Sequence, residues 1–156
     1  MAPVTAELAQ AAAPGLLRRL AAMLYDALGL FGVLVAATSL IVLPSSIALD
    51  HQVRPESLWF RLYLLGIIVG YFAWPWIRGG QTLGMRAWRL RVVRADGGGL
   101  RLPDALLRLA AAALSWAAVG LGFLWVLVDR DGLAWHDRLS RTRLVLLLPS
   151  KSKPST

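Results

Sequence analysis

No cysteine occurs among the 156 residues, which excludes disulfides and thiolate metal sites. Acidic side chains are scarce: 9 Asp+Glu stand against 17 Lys+Arg, a net charge of +8, and histidines number only 2. Asp129, Asp131, His136 and Asp137 form an acidic cluster with an imidazole, and their spacing matches no compact metal motif, so no metal is expected. No Ser/His/Asp order and no glutamate pair suggests a hydrolase, and no enzymatic activity is expected. The stretch Gly79-Gly80-Gln81-Thr82-Leu83-Gly84 lacks the Gly-Lys-Ser/Thr ending of a phosphate loop, so no nucleotide cofactor is expected. Residues 1–17 carry no basic leader segment, so the first apolar run is expected to act as its own insertion signal. A recognisable nucleic-acid module is missing too. The basic residues lie between and beside apolar blocks, where juxtamembrane charge explains them better than phosphate binding, and anionic lipid headgroups are the expected partner.

What is abundant is apolar side chain. Hydrophobic residues make up 57% of the chain, against about 45–50% in a soluble domain. The excess falls into three blocks near the length of a membrane span. The first runs from about Leu17 to Leu43 and is expected to stop at Pro44-Ser45-Ser46; the second covers about Ser57 to Ile77, and the third Leu109 to Val128. Aromatic residues at both ends of the second block read as interfacial belts, and Pro75 is expected to kink its last turn. Gly29, Gly32, Ala36 and Ser39 recur at helical spacing and would let another helix approach.

Between the second and third blocks, Gln81 to Ala87 reads as a short interfacial helix. Trp88, Leu90 and Val92 then alternate with Arg89 and Arg91 as a strand. Asp96-Gly97-Gly98-Gly99 predicts a turn, Leu100 to Leu102 a returning strand, and Pro103-Asp104 a helix start. Thr142 to Leu148 is a further candidate strand. Residues 1–15 read as a flexible tail with some helix over Thr5 to Ala13, residues 16–148 as one membrane domain, and residues 149–156 as a disordered basic tail.

The charge distribution bears on the number of crossings. Lys and Arg divide as 2 before the first block, 2 between the first and second, 7 between the second and third, and 6 after it. Three full crossings would spread them almost evenly over the two faces. If the third block enters and returns, 15 lie on one face and 2 on the other, which fits the positive-inside rule far better. Gly120 and Gly122 supply a break between half-helices of about Asp104 to Val119 and Leu121 to Asp129. That layout also puts the strands near Leu90 and Val145 on one face, where they can pair. The expected fold is therefore an all-α polytopic bundle of two full spans plus a re-entrant or kinked helical hairpin, with a small β element on the basic face.

The candidate polar site starts from Asp26, a carboxylate inside the first apolar helix, where an ionisable group costs about 2.5–3.5 kcal/mol to insert. Arg19 lies two turns away on the same face, with Arg18 beside it, and Arg108 at the end of the third block is an alternative partner for Asp26. Two roles fit Asp26: a satisfied pin holding helices in register, and a proton- or cation-exchanging group. Asp129 and Asp137 are expected to cap the re-entrant helix and the turn after it, with Arg138 as their neighbour.

Three boxes, Arg18-Arg-Leu-Ala-Ala-Met-Leu-Tyr-Asp26, Gly79-Gly-Gln-Thr-Leu-Gly-Met-Arg-Ala-Trp-Arg-Leu-Arg-Val-Val93 and Trp135-His-Asp-Arg-Leu-Ser-Arg-Thr142, together resemble the RDD family of small bacterial membrane proteins, over about residues 16–148. The resemblance implies that Arg19 is the family arginine and Asp26 its first aspartate. The second aspartate falls on Asp137, with Asp129 as the rival. Gln81, Thr82, Gly84, His136 and Arg138 lie in the same boxes as supporting residues. The resemblance further implies the bacterial inner membrane and transport of an ion or small solute, sodium/proton exchange being reported for some members. A chain with three apolar blocks is thin for a pathway, so a homo-oligomer is expected, with both termini cytoplasmic. The alternative is a non-transporting scaffold or assembly factor.

Overall fold

The computed structural model describes residues 12–48 and 57–147, and the side chains of residues 45–48 are outside that description. The expected helix over Thr5 to Ala13 and the two tails fall largely outside it. Helix α1 spans Leu16–Ala48, α2 Leu58–Gly79 and α3 Leu83–Ala87. Strand β1 (Leu90–Arg94) follows, then α4 (Leu102–Ala117), α5 (Leu121–Leu124) with a short 3-10 turn Trp125–Leu127, α6 (Trp135–Leu139) and β2 (Thr142–Leu146).

Helices α1 and α2 are long and apolar enough to cross a membrane. Pro44 does not stop α1, which continues to Ala48. A proline removes only one backbone donor, and a helix in an apolar medium has no better way to satisfy the rest of its backbone. Pro75 is likewise held within α2, which ends at Gly80 in the left-handed conformation with φ 70°. At about 1.5 Å per residue the 33 residues of α1 measure about 50 Å, against about 30 Å of hydrocarbon. The surplus is its N-terminal foot, which is packed among the other elements, while Leu28, Phe31, Val35, Leu40 and Leu43 above it are exposed apolar side chains.

The third block turns back. Helix α4 and the segment Leu121–Leu127 meet at 107°. Gly120 sits at φ 80° and Val119 at φ 55°, so the break lies where the glycine was expected to place it. Both ends of this excursion are tied together: the Ala95 N–H donates to the Arg141 carbonyl, and β1 pairs antiparallel with β2 in the register Leu90↔Leu146 to Arg94↔Thr142. The segments before and after the bent block are thereby joined in one small sheet. Leu100 to Leu102 form no strand, because Leu102 already begins α4, where the Asp104 carboxylate accepts from the Arg101 N–H as a cap.

The small sheet hangs from the end of α2. The Gly80 carbonyl accepts from the Val92 N–H, Arg91 Nε donates to the Gly79 carbonyl, and Gln81 Nε2 donates to the Leu90 carbonyl. Its apolar side, Leu90, Val92 and Leu144, packs on Ala22, Ala73, Trp76 and Ala105, so one core joins the sheet to the feet of α1, α2 and α4. Ahead of α1, the Leu146 N–H donates to the Ala12 carbonyl. The start of α1 and the end of β2 thus lie together at one end of the bundle, hereafter the basic end.

Candidate functional site

Asp137 is the centre of the polar cluster. It occupies the third position of α6, where its Oδ2 accepts from the Ala134 N–H at 3.0 Å as a helix cap. The same oxygen receives Arg19 Nη1 at 2.8 Å, and Oδ1 receives Arg108 Nη1 at 2.6 Å. Arg19 also donates from Nη2 to the Gly132 carbonyl and from Nε to the Pro14 carbonyl, so each of its three nitrogens has a partner. Arg108 Nη1 gives a second bond to Thr142 Oγ1, whose hydroxyl also meets Ser140 Oγ. Asp137 is fully buried, and both arginines are nearly so. Arg108 further stacks over Trp76, its guanidinium carbon 5.5 Å from the ring centre.

Asp26 makes neither of the pairings expected of it. Among the described residues it forms no ion pair. Its Oδ2 accepts from the Thr82 hydroxyl at 2.5 Å and its Oδ1 from the Gly84 N–H at 2.8 Å. Arg19 and Arg108 reach Asp137 instead, because α6 brings a carboxylate between the feet of α1 and α4 at the level of their guanidinium groups. Asp26 is only 4% exposed, shielded by α3, whose Gly84 lies against the Ala22 carbonyl. Arg18 is exposed. Asp129 binds the Leu133 N–H at 2.8 Å and Arg138, which also reaches Asp131, at the surface. Trp76, Ser140 and Thr142 were not among the candidate site residues read from the sequence. Thr142 ends the third motif box, yet no periodicity marks it as a partner of Arg108.

Electrostatics follow from this packing. Burial pushes the Asp137 carboxyl up, but Arg108, then His136 and Arg19, outweigh burial and hold it well below the usual carboxylate range. Burial, aided by Arg108 and opposed by Asp137, lowers His136 from 6.5 to about 3, so the imidazole is neutral. Below about pH 6.5 the unfolded chain therefore takes up a proton at His136 that the folded chain refuses. Stability is expected to fall from pH 6.5 toward 3 by about 1.4 kcal/mol per pH unit. Asp137, held below its ordinary value of 3.8, adds a further loss below about that pH, where the unfolded carboxyl takes up a proton that the folded one refuses. Melting temperatures in detergent between pH 8 and 4 check this. His136→Gln should flatten the upper part of the slope, and an unchanged slope in that variant would contradict the assignment.

Two hollows flank the cluster. On the bundle side a cavity of about 390 Å³ is bounded by Arg19, Asp26, Arg108 and His136 at its polar end, and by Met23, Leu30, Phe72, Leu109, Trp116 and Phe123 along its walls. On the other side a cleft of about 500 Å³ is lined by Asp131, Asp137, Arg138, Arg141, Thr142 and Arg143. Asp137 and Thr142 face the cleft, and the two arginines that hold them face the cavity. Among the described residues no group of three or more His, Asp or Glu side chains is placed to hold a metal ion.

No curated protein and no solved structure matches the chain. The RDD family model matches residues 13–141, which takes in α1, the Thr82-to-Gly84 clamp on Asp26, the returning hairpin and the Asp137 cluster. With more than four-fifths of its length matched in that way, this membrane protein belongs to the RDD family.

Proposed function

We propose that the protein is a transporter of an ion or small solute in the inner membrane, with the basic end in the cytoplasm. The observation that carries this reading is the pair of hollows meeting at one ionic cluster, Arg19–Asp137–Arg108. A buried ion pair is weak support for stability, and its retention calls for another role. Here the cluster is the septum between a membrane-side cavity and a water-side cleft. Separating Asp137 from one arginine would join them. Asp26 lines the cavity with neutral donors on both oxygens and no cation beside it, which leaves its charge to be balanced by an incoming proton or cation. The distribution of Lys and Arg, 15 against 2, supports the orientation.

The test is flux in proteoliposomes under imposed sodium and pH gradients. Wild type should dissipate a gradient, and Asp26→Asn should lose at least about nine-tenths of that rate while keeping its melting temperature, since Asn can accept from the Gly84 N–H and donate to the Thr82 hydroxyl oxygen. A folded, reconstituted wild type without flux would favour the scaffold reading. That reading has its own support: the most apolar window of α1 has no fully buried residue, as expected of a docking helix or an oligomer contact.

A further inference from the structure

The membrane-side cavity has walls and a polar end of different chemistry, and the polar end is asymmetric. All three nitrogens of Arg19 already have a protein partner. Those of Arg108 do not. Its Nη1 carries both of its bonds, to Asp137 and Thr142, and among the described residues Nε and Nη2 have no hydrogen-bond partner, although the residue is only 2% exposed. Nε and Nη2 form the side-on edge of the guanidinium, two parallel donors at the spacing of a carboxylate. The edge belongs to a residue that lines the cavity, with Trp76 stacked on the guanidinium face. A guanidinium edge at the cavity wall with no protein partner is left for water or a ligand, and a bound anion would pair with both of its donors. His136 beside it is neutral and adds no competing charge, and its Nδ1 is a buried polar atom without a partner.

The rest of the cavity is apolar: Leu30 and Met23 from α1, Phe72 from α2, Leu109 and Trp116 from α4, Phe123 from α5. Its rim residues Ala27, Ala113 and Trp116 are exposed, so it opens sideways between α1 and α4, toward the zone where lipid chains would lie. Its volume falls in the range of small-molecule sites, about 300–1,000 Å³. A hydrated inorganic anion would leave these walls unused, and a neutral lipid would leave the Arg108 edge unpaired.

We propose that this cavity binds a single-chain carboxylate, its acid group held side-on by Arg108 Nε and Nη2 and its acyl tail lying along the apolar wall between α1 and α4. As a statement of the transported substrate class this rests on the transport reading above; as a statement of binding it stands on the cavity alone.

Quenching of tryptophan fluorescence by ω-bromododecanoate, in full-length protein held in nanodiscs of zwitterionic lipid, tests it, because Trp76 and Trp116 line the site. Unbrominated dodecanoate should compete. The acid should bind at least about tenfold more tightly than ω-bromododecanol, as expected for one charge-assisted bidentate contact. Arg108→Gln should remove that preference while leaving the alcohol unchanged. Ala113→Phe, which narrows the rim without touching the ionic cluster, should weaken both ligands by about tenfold or more and keeps the test decisive if Arg108→Gln fails to fold. Equal binding of acid and alcohol by wild type, or acid binding untouched by Ala113→Phe, overturns the proposal. Acid binding without flux overturns the transport reading alone, and sodium or proton flux without acid binding overturns this proposal alone.

Discussion

Asp137→Asn is expected to destabilise the detergent-solubilised protein by about 3–5 kcal/mol, the cost of leaving buried cations without their counter-ion. The side chain is fully buried and serves Arg19, Arg108 and the Ala134 N–H at once. Asparagine keeps the shape but loses the charge and half the acceptor capacity, so two guanidinium groups compete for one carbonyl oxygen. Thermal unfolding followed by circular dichroism measures the effect, and a loss under about 1 kcal/mol would mean that water or backbone carbonyls satisfy the arginines without Asp137. Asp129→Asn is the control, since Arg138 is half exposed there and should cost far less. A sharper comparison replaces the whole cluster, with Arg19→Met, Arg108→Met and Asp137→Leu together. Removing a complete buried ion set is often neutral or stabilising, so the triple variant should melt higher than Asp137→Asn. If the cluster is the septum of a transport path, that stable variant should nevertheless fail to transport normally. Normal flux from it would separate the cluster from function.

Gly84→Val should also be severe, at about 3 kcal/mol or more, from overpacking and a buried acceptor left unpaired. A Cβ at Gly84 would run into the Ala22 carbonyl and the carboxyl carbon of Asp26. Backbone cannot give way there without moving α3 off α1, which would withdraw both the Gly84 N–H and the Thr82 hydroxyl from Asp26. Gly32→Ala is the matched control, because nothing lies within 4 Å of a Cβ at that position. Equal melting temperatures for Gly84→Val and Gly32→Ala would show that α3 is not clamped on α1 as described.

These two variants probe different kinds of information in the chain. The lengths of the apolar runs, the break at Gly120, the cap at Asp104 and the alternation about Leu90 are local properties, and each was legible without coordinates. The bend in the third block was legible too, and the bias of positive charge, which integrates over whole connections, is the argument for its return. Local signals also failed in instructive places. Pro44 carries the signature of a helix stop, but an apolar surrounding overrides it. Leu100 to Leu102 alternate as a strand would, but Asp104 captures the Arg101 N–H and starts a helix instead.

The pairing of charges was of another kind. Asp26 and Arg19 lie on one helix face two turns apart, and the sequence offers Arg19 and Arg108 alike as partners of Asp26 without choosing between them. Packing decided otherwise. Arg19 meets Asp137 across 118 residues, Arg108 meets it across 29, and Asp26 finds its donors 56 and 58 residues away. Hydropathy and spacing act along one dimension and settle which segments enter the apolar phase and which end stays in water. Which buried acid neutralises which buried base depends on distances of a few ångströms between helices that no local pattern encodes, and only the packed bundle sets those distances.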